Sequence, residues 1–182
     1  MAELKRFSPK VKTLGEIARY LGTEILDEFS KIEITGVSSS SNRLEEGELF
    51  IALPGAKTHG SAFLQSAVER GARAVLTDKA GVVHFPEQKP AIPVLVVPNP
   101  RSQSGFLSDW FFDSPSQSLF VAGITGTNGK TTTTYLLHQI WQRAEISAGL
   151  IGTVGIRVGE EFFPATHTTP EADAVHAILS VM

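Results

Sequence analysis

A glycine-rich segment in the second half of the chain constrains the fold most. Residues 118–125 (Ser-Leu-Phe-Val-Ala-Gly-Ile-Thr) are largely apolar and predict a short buried strand. Residues 126–131 (Gly-Thr-Asn-Gly-Lys-Thr) then predict a turn and a helix that begins at Lys130. Glycines let backbone N–H groups approach an anion closely, and the helix adds the positive end of its dipole. Strand, turn and helix in this order predict a cradle for phosphate groups.

The residues of this loop have individual predicted roles. The loop departs from the strict pattern G-x-x-x-x-G-K-[ST], because Ile124 stands where the first glycine would be. Lys130 can reach the β- and γ-phosphates of a nucleotide, and the Thr131 hydroxyl can ligate Mg²⁺. These two are the candidate catalytic residues, and Thr131 is the candidate metal ligand. The candidate cofactor-binding residues are Gly126, Thr127, Asn128, Gly129, Lys130, Thr131 and Thr132. The alternative is an ordinary strand–turn–helix corner with a solvated lysine.

Composition excludes several other classes of protein. The 182 residues carry a net charge of −3 without a basic cluster, so the charge pattern of a nucleic-acid binder is missing. The chain has no cysteine, which excludes disulfides, thiolate catalysis and cysteine-based zinc sites. The first residues lack the apolar core of a signal peptide, and no run approaches the about 20 apolar residues of a membrane span. These features favour a soluble cytoplasmic protein with no nucleic-acid or membrane partner.

The first part of the chain alternates strand and helix patterns, which predicts an α/β fold with a sheet. Thr13-Leu-Gly-Glu16 is a capping-box pattern before a short helix that ends at Gly22. The predicted strands are residues 33–37, 48–53, 72–76 and 93–97, and the further predicted helices are 61–71 and 104–112. A polar, proline-bearing stretch at 113–116 predicts a domain boundary. We therefore expect one domain over residues 1–115 and another over 116–182.

The second domain is expected to be incomplete. After the glycine-rich loop we predict a helix to Arg143, a strand at 148–152, a hairpin around Gly159, and a helix from Pro170 to Met182. Only the strand at 148–152 is then left to extend a parallel sheet. Because such a sheet normally buries its central strands on both faces, several more βαβ units would be needed.

The loop at 126–131 resembles the ATP loop of the Mur ligases, ATP-dependent amide-forming enzymes of peptidoglycan synthesis. Three further stretches are similar to the branch of that family that adds the third amino acid of the stem peptide to UDP-N-acetylmuramoyl-L-alanyl-D-glutamate. These stretches are residues 36–42 with 47–55, residues 151–155 (Ile-Gly-Thr-Val-Gly) and residues 168–171 (Thr-Thr-Pro-Glu). The resemblance covers nearly the whole chain from about Ile34 onward.

The resemblance implies three domains, which hold the uridine nucleotide, ATP and the incoming amino acid. The family's contacts to the UDP-muramoyl substrate fall on Ser39, Ser41, Ala56, Lys57, Thr58, Thr168 and Thr169. The family often shows Asp-Ser-Arg in its first loop, whereas residues 40–42 here are Ser-Ser-Asn. Taken alone, the serines are equally typical of a solvated turn, Lys57 of an ordinary surface lysine, and Thr168 of a helix cap.

The resemblance also implies a mechanism that uses ATP and Mg²⁺. A substrate carboxylate is phosphorylated, and an amine attacks the acyl phosphate to form an amide. We expect the 182-residue chain to be an N-terminal fragment, monomeric and inactive alone, because no later acidic Mg²⁺ ligand or amino-acid-binding domain is present. Whether the parent enzyme adds lysine or meso-diaminopimelate is left open. A non-catalytic nucleotide-binding module, or a piece of a cyanophycin or folylpolyglutamate synthetase, are the alternatives.

Overall fold

The computed structural model describes residues 11–85, 91–164 and 170–182. Within these ranges it contains six α-helices and nine short strands. The helices are α1 (Leu14–Leu21), α2 (Leu64–Glu69), α3 (Lys79–Val83), α4 (Pro100–Phe111), α5 (Lys130–Arg143) and α6 (Ala172–Leu179). The strands are β1 (Lys12–Thr13), β2 (Glu33–Ile34), β3 (Val37–Ser38), β4 (Leu49–Ile51), β5 (Ala74–Thr77), β6 (Val94–Val96), β7 (Leu150–Ile151), β8 (Gly155–Val158) and β9 (Glu161–Pro164).

The centre of the first half is a four-stranded parallel sheet in the order β3-β4-β5-β6. Side chains alternate between its faces, so Leu49 and Ile51 join the core on one side and Phe50 joins the core on the other. Helices α1 and α4 cover the first face, and α2 covers the second. The predicted α/β fold class is confirmed, because both faces of a parallel sheet are buried under helices.

Helix α1 forms where the capping-box pattern predicts it. The Thr13 hydroxyl accepts a hydrogen bond from the Glu16 amide, and the Glu16 carboxylate accepts from the Thr13 amide at 2.7 Å. Gly22 adopts the left-handed conformation that ends the helix, with φ of 65°. Its apolar stripe of Leu14, Ile17, Ala18 and Leu21 is buried in the core.

The strand predicted at residues 33–37 is in fact two strands in different sheets. β2 pairs with β1 in an antiparallel ladder, whereas β3 pairs with β4 in the parallel sheet. Gly36 lies between them against the Glu48 side chain, where a Cβ atom would come within 2.5 Å of a carboxylate oxygen. The chain therefore changes sheets at this glycine, a tertiary effect that strand propensity does not reveal.

Two helices of the first half differ from their predicted bounds because their caps differ. The segment predicted as a helix from Ser61 begins as a 3₁₀ turn, Gly60–Phe63, which the His59 side chain caps. The side chain of Phe63 is exposed in this turn. α4 begins at Pro100 rather than at residue 104, since the Asn99 side chain accepts from the Ser102 amide. A further short helix, α3, lies between the strands predicted at 72–76 and 93–97, and Asp78 caps it.

The buried strand predicted before the glycine-rich loop does not form. Residues 118–125 have no regular structure, Phe120 is 85% exposed, and no strand within the described residues pairs with this segment. An apolar strand is buried only when neighbouring strands and helices cover it. The prediction of a buried strand was therefore wrong for this structure.

The elements after the loop follow the predicted order with two corrections. α5 begins at Lys130 and ends at Arg143, and β8 and β9 form the hairpin around Gly159. β7 pairs with β8 in an antiparallel ladder, so it extends the hairpin instead of a parallel sheet. α6 begins at Ala172, two residues after Pro170, and ends at Leu179.

Helix α6 packs against the first half of the chain. It contacts α4 and β3, and Ala177 belongs to the same buried cluster as Leu107 and Phe111 of α4. Between the two halves, Asp113 and Ser114 have positive φ angles, and a 3₁₀ turn follows at Pro115–Gln117. The division into domains at residues 115 and 116 stays a prediction. Over the described ranges, every helix is too short or too polar to cross a bilayer.

Candidate functional site

A cavity of about 340 Å³ lies at the carboxyl edge of the parallel sheet. Its polar wall comes from the loop that follows β3, from Thr58 after β4, and from Arg101 in the first turn of α4. Phe50 and Phe63 add apolar surface, and Glu171 closes the side that faces α6. Ligands of open α/β sheets bind at this edge, where the loops from successive strands converge.

The loop after β3 is held in shape by its own hydrogen bonds. The Ser38 hydroxyl donates to the Ser40 carbonyl at 3.2 Å, and the Arg43 amide donates to the same carbonyl at 3.1 Å. Arg70 of the following helical segment donates to the Asn42 carbonyl. Ser41 lines the cavity and is almost buried. The loop therefore presents hydroxyl and amide groups from a fixed backbone.

Ser39 in this loop is bound to a residue from the far end of the chain. Its amide donates to Asp173 Oδ2 at 2.9 Å, and its hydroxyl donates to Asp173 Oδ1 at 2.7 Å. Both donors of Ser39 are thereby used, although its hydroxyl oxygen can still accept a hydrogen bond.

Arg101 and Glu171 form a charged pair at the mouth of the cavity. Arg101 Nη1 lies 3.0 Å from both carboxylate oxygens of Glu171, and Nη2 donates to the Pro54 carbonyl at 3.3 Å. Each side chain is about half exposed, so the pair contributes little to stability and its charges stay accessible to a ligand.

The segment after β4 forms a closed turn beside the cavity. Pro54 and His59 form an isolated bridge, and the Gly60 amide donates to the Leu53 carbonyl at 2.8 Å. Thr58 lines the cavity, whereas Ala56 and Lys57 are exposed and stand outside its lining. His59 Nδ1 accepts from the Ser61 amide at 3.1 Å, and its Nε2 lies 3.2 Å from Asp78 Oδ1.

The glycine-rich loop has the geometry expected of a turn into a helix. Gly126 and Gly129 have φ angles of 150° and 79°, which side-chain-bearing residues rarely adopt. Gly129 caps α5 without a side-chain hydrogen bond, so the first amides of this helix stay available to an anion. Lys130 Nζ lies 2.5 Å from the Gly126 carbonyl, and Thr131 Oγ1 lies 3.3 Å from Thr153 Oγ1.

The structure brings some of the predicted substrate residues together and leaves others apart. Ser39, Ser41 and Thr58 share one cavity. Thr168 and Thr169 lie outside the described residues. Sequence reasoning missed Arg101, Glu171 and Asp173. Arg101 could have been found from its position just after a strand at the carboxyl edge, but Asp173 is 134 residues from its partner and gives no local signal.

One ionisable group at the packed surface of α6 has a shifted pKa. Burial lowers the pKa of His176 from its ordinary value, and the nearby carboxylate of Asp109 opposes that shift. His176 Nδ1 lies 3.5 Å from Asp109 Oδ1 across the α4–α6 contact. Burial therefore favours the neutral imidazole, whereas the contact with Asp109 favours the protonated one, and burial is the larger influence.

The fold combines a parallel sheet, which has a polar cavity at its carboxyl edge, with a glycine-rich loop at the start of a helix. These two features define an α/β protein with a phosphate-loop segment. Residues 33–104 match the family model described as Mur ligase family, catalytic domain, and residues 124–182 match the Mur ligase middle domain. The chain belongs to the Mur ligase family, as the resemblance of its motifs predicted.

Two curated relatives and one solved structure illustrate the similarity. The chain is 43% identical to the UDP-N-acetylmuramoyl-L-alanyl-D-glutamate–2,6-diaminopimelate ligase of Streptomyces coelicolor, over 93% of this chain and 32% of the relative. It is 35% identical to the UDP-N-acetylmuramyl-tripeptide synthetase of Leifsonia xyli, over 96% of this chain and 34% of the relative. A solved UDP-N-acetylmuramoyl-L-alanyl-D-glutamate–2,6-diaminopimelate ligase superposes with a TM-score of 0.61 at 25% identity, over 93% of this chain and 33% of that one. The chain thus spans about a third of the length of the relatives it matches.

Proposed function

We propose that this chain supplies the uridine-nucleotide-binding part and the start of the ATP-binding part of a peptidoglycan-precursor ligase. The proposed reaction joins a diamino acid to UDP-N-acetylmuramoyl-L-alanyl-D-glutamate at the expense of ATP. The names of the relatives support this substrate, and several of them favour 2,6-diaminopimelate as the diamino acid. The observation that carries the proposal is the polar cavity at the carboxyl edge of the sheet, lined by Ser41, Thr58 and Arg101.

The cavity has the chemistry that a UDP-sugar requires. Serine and threonine hydroxyls can donate to pyrophosphate oxygens and to the carbonyl edges of uracil. The Arg101 guanidinium supplies a positive charge with a planar fork of donors that suits phosphate. Phe63 offers a half-exposed apolar ring at the same cavity. In the proposal, Ala56 and Lys57 contact the ligand from the rim, and Thr168 and Thr169 contact its muramoyl-peptide end.

The glycine-rich loop is proposed to hold the phosphates of ATP. Backbone amides at the start of α5 would receive the β-phosphate, and Lys130 would neutralise charge that develops on the transferred γ-phosphoryl group. Lys130 can reach this position by leaving the Gly126 carbonyl, because its side chain is exposed. Loop residues 127, 128 and 132 complete the proposed ATP contacts.

The hydroxyl oxygens of Thr131 and Thr153 fit Mg²⁺, which prefers oxygen ligands. Within the described residues, no cluster of three or more His, Cys, Asp or Glu side chains could hold a metal ion. Mg²⁺ is bound in such sites by few protein ligands together with substrate phosphates. In the proposal, Thr131 would therefore hold the ion jointly with ATP, and the ion would supply positive charge beside the phosphates. ATP and UDP-sugars are cytoplasmic metabolites, so we place the protein in the cytoplasm.

Calorimetric titration of the chain with UDP-N-acetylmuramoyl-L-alanyl-D-glutamate tests the proposal. We expect saturable binding that Ser41→Ala weakens by about tenfold, since it removes a hydrogen bond to a charged group. Arg19→Ala, on the exposed side of α1, is the control and should bind as the unaltered chain does. Thermal stabilisation by a folate or by an Asp-Arg peptide, without stabilisation by the UDP ligand, would contradict the proposal. That result would favour a folylpolyglutamate or cyanophycin synthetase instead.

A further inference from the structure

Asp173 is a buried carboxylate that accepts two hydrogen bonds from the cavity loop. It is 3% exposed, and its two oxygens accept from the amide and the hydroxyl of Ser39. Burial of an ionised carboxylate is unfavourable unless donors satisfy it. Here one residue supplies two donors in a fixed geometry, so the position of the carboxylate and the conformation of Ser39 determine one another.

Asp173 stands in the first turn of α6 and faces Ser39 with both carboxylate oxygens. A carboxylate can accept hydrogen bonds with both oxygens, whereas an amide in its place would present one donor towards Ser39.

Asp173 also connects α6 to the cavity. The helix is anchored to α4 through the shared core that contains Ala177. Residues 40–43 follow Ser39 directly, and together with Ser39 they line the cavity. The conformation of this wall therefore depends on a helix from the other half of the chain.

We propose that Asp173 is a positioning residue for the uridine-nucleotide ligand, acting through Ser39 on the loop at 39–43. This inference rests on the proposed function for the identity of the ligand. Asp173 does not touch the ligand. It fixes the amide and hydroxyl of Ser39, so that the loop presents one arrangement of hydroxyls to the cavity. Docking of α6 and formation of the binding site are then a single event.

The test replaces Asp173 by asparagine in the 182-residue chain. Asp173→Asn keeps the shape but turns one acceptor into a donor that faces Ser39, so we expect the loop to shift and the Kd for UDP-N-acetylmuramoyl-L-alanyl-D-glutamate to rise about tenfold. Glu160→Gln, at the exposed β8–β9 turn, removes a carboxylate elsewhere and should leave the Kd unchanged. The amide resonance of Ser39 in ¹⁵N-labelled protein should move upfield in Asp173→Asn alone.

A double-mutant cycle with Ser39→Ala separates positioning from a general loss of stability. If Asp173 acts through Ser39, the two substitutions together weaken binding no more than Asp173→Asn alone, whereas independent effects would multiply and overturn the inference. Should Asp173→Asn fail to fold, Ser39→Ala still tests the link, since it removes one hydrogen bond and should weaken binding severalfold. Unchanged affinity in a folded Asp173→Asn would also overturn it.

The same experiment distinguishes failure of the inference from failure of the proposed function. If the unaltered chain binds no UDP ligand while Asp173→Asn still moves the Ser39 amide resonance, the proposed function is wrong and the Asp173–Ser39 link stands as a structural one. If the chain binds the ligand and Asp173→Asn changes neither the resonance nor the affinity, the proposed function stands and the positioning role is wrong.

Discussion

Arg101 and Glu171 are 70 residues apart in the sequence and 3.0 Å apart in space, where they join the two halves of the chain at the mouth of one cavity. An anionic ligand that approaches Arg101 competes with the Glu171 carboxylate. Arg101 can therefore exchange its contact with Glu171 for a contact with a phosphate, and this exchange changes the stability of the fold little.

Arg101→Ala is expected to weaken UDP binding by at least about tenfold, because hydrogen bonds to charged groups contribute about 1.5–3 kcal/mol. Glu171→Gln should instead strengthen binding of UDP alone, since it removes the competing charge. Both variants should unfold within about 0.5 kcal/mol of the unaltered chain, as expected for an exposed pair. Calorimetric titration and urea unfolding measure the two quantities. Equal UDP affinity in all three proteins would contradict a role of Arg101 in phosphate binding.

Two phenylalanines of α4 provide a matched test of the core. Phe111 is fully buried between α4 and the sheet, whereas Phe106 on the same helix is 68% exposed. We expect Phe111→Ala to lower the free energy of unfolding by about 3–5 kcal/mol and Phe106→Ala by less than about 1 kcal/mol. Urea unfolding followed by circular dichroism measures the difference. Similar losses in both variants would show that α4 does not pack as described.

Gly60 begins the 3₁₀ turn beside the cavity at a position without room for a side chain. A Cβ atom there would lie 2.8 Å from the Leu53 nitrogen and 2.9 Å from the Leu53 oxygen, and these backbone atoms cannot move aside cheaply. Gly60→Ala should destabilise the fold by about 1–3 kcal/mol and weaken UDP binding through Thr58. Gly123→Ala, where a Cβ meets nothing within 4 Å, is the control and should be close to neutral. A neutral Gly60→Ala would mean that the turn after β4 is looser than described.

His176 should make stability depend on pH. Burial is the larger influence and lowers the folded-state pKa below the ordinary value of about 6.5, so the unfolded chain binds the proton more readily. The contribution of the neutral side chain is present above about pH 6.5 and is lost as the pH falls towards the lowered folded-state pKa. Urea midpoints measured from pH 8 to 5 should fall less steeply in His176→Gln than in the unaltered chain. If His176→Gln keeps the slope of the unaltered chain, the prediction is wrong.

Amide hydrogen exchange should be fast in one segment of the second half of the chain and slow in another. Amides of residues 119–125 should exchange rapidly, because the segment is exposed and no strand within the described residues pairs with it. Amides of α6 should be protected nearly as well as those of α4, since the two helices share a core. Mass spectrometry of pepsin fragments resolves these segments. Rapid exchange throughout α6 would indicate that this helix does not dock stably.

Local rules were enough for the elements whose signals lie within a few residues. The capping box at Thr13 and Glu16, the left-handed Gly22, the hairpin at Gly159 and the start of α5 at Lys130 all follow from short-range hydrogen bonding and backbone sterics. The α/β class followed from alternating patterns, and the family followed from the motifs. These features depend on residues that are neighbours in the chain.

Tertiary structure decided the features that depend on distant partners. Residues 118–125 have strand-forming side chains, yet a strand is buried only if other strands and helices cover it. β7 pairs with β8 in an antiparallel ladder, because β8 follows it directly in the chain and belongs to the hairpin sheet. Ser39 was a candidate from the sequence, but its carboxylate partner Asp173 lies 134 residues away. The sequence by itself determined the chemical groups of the site, and the packing of α6 on α4 determined which of them meet, because contacts between distant residues are set by how whole elements share a core.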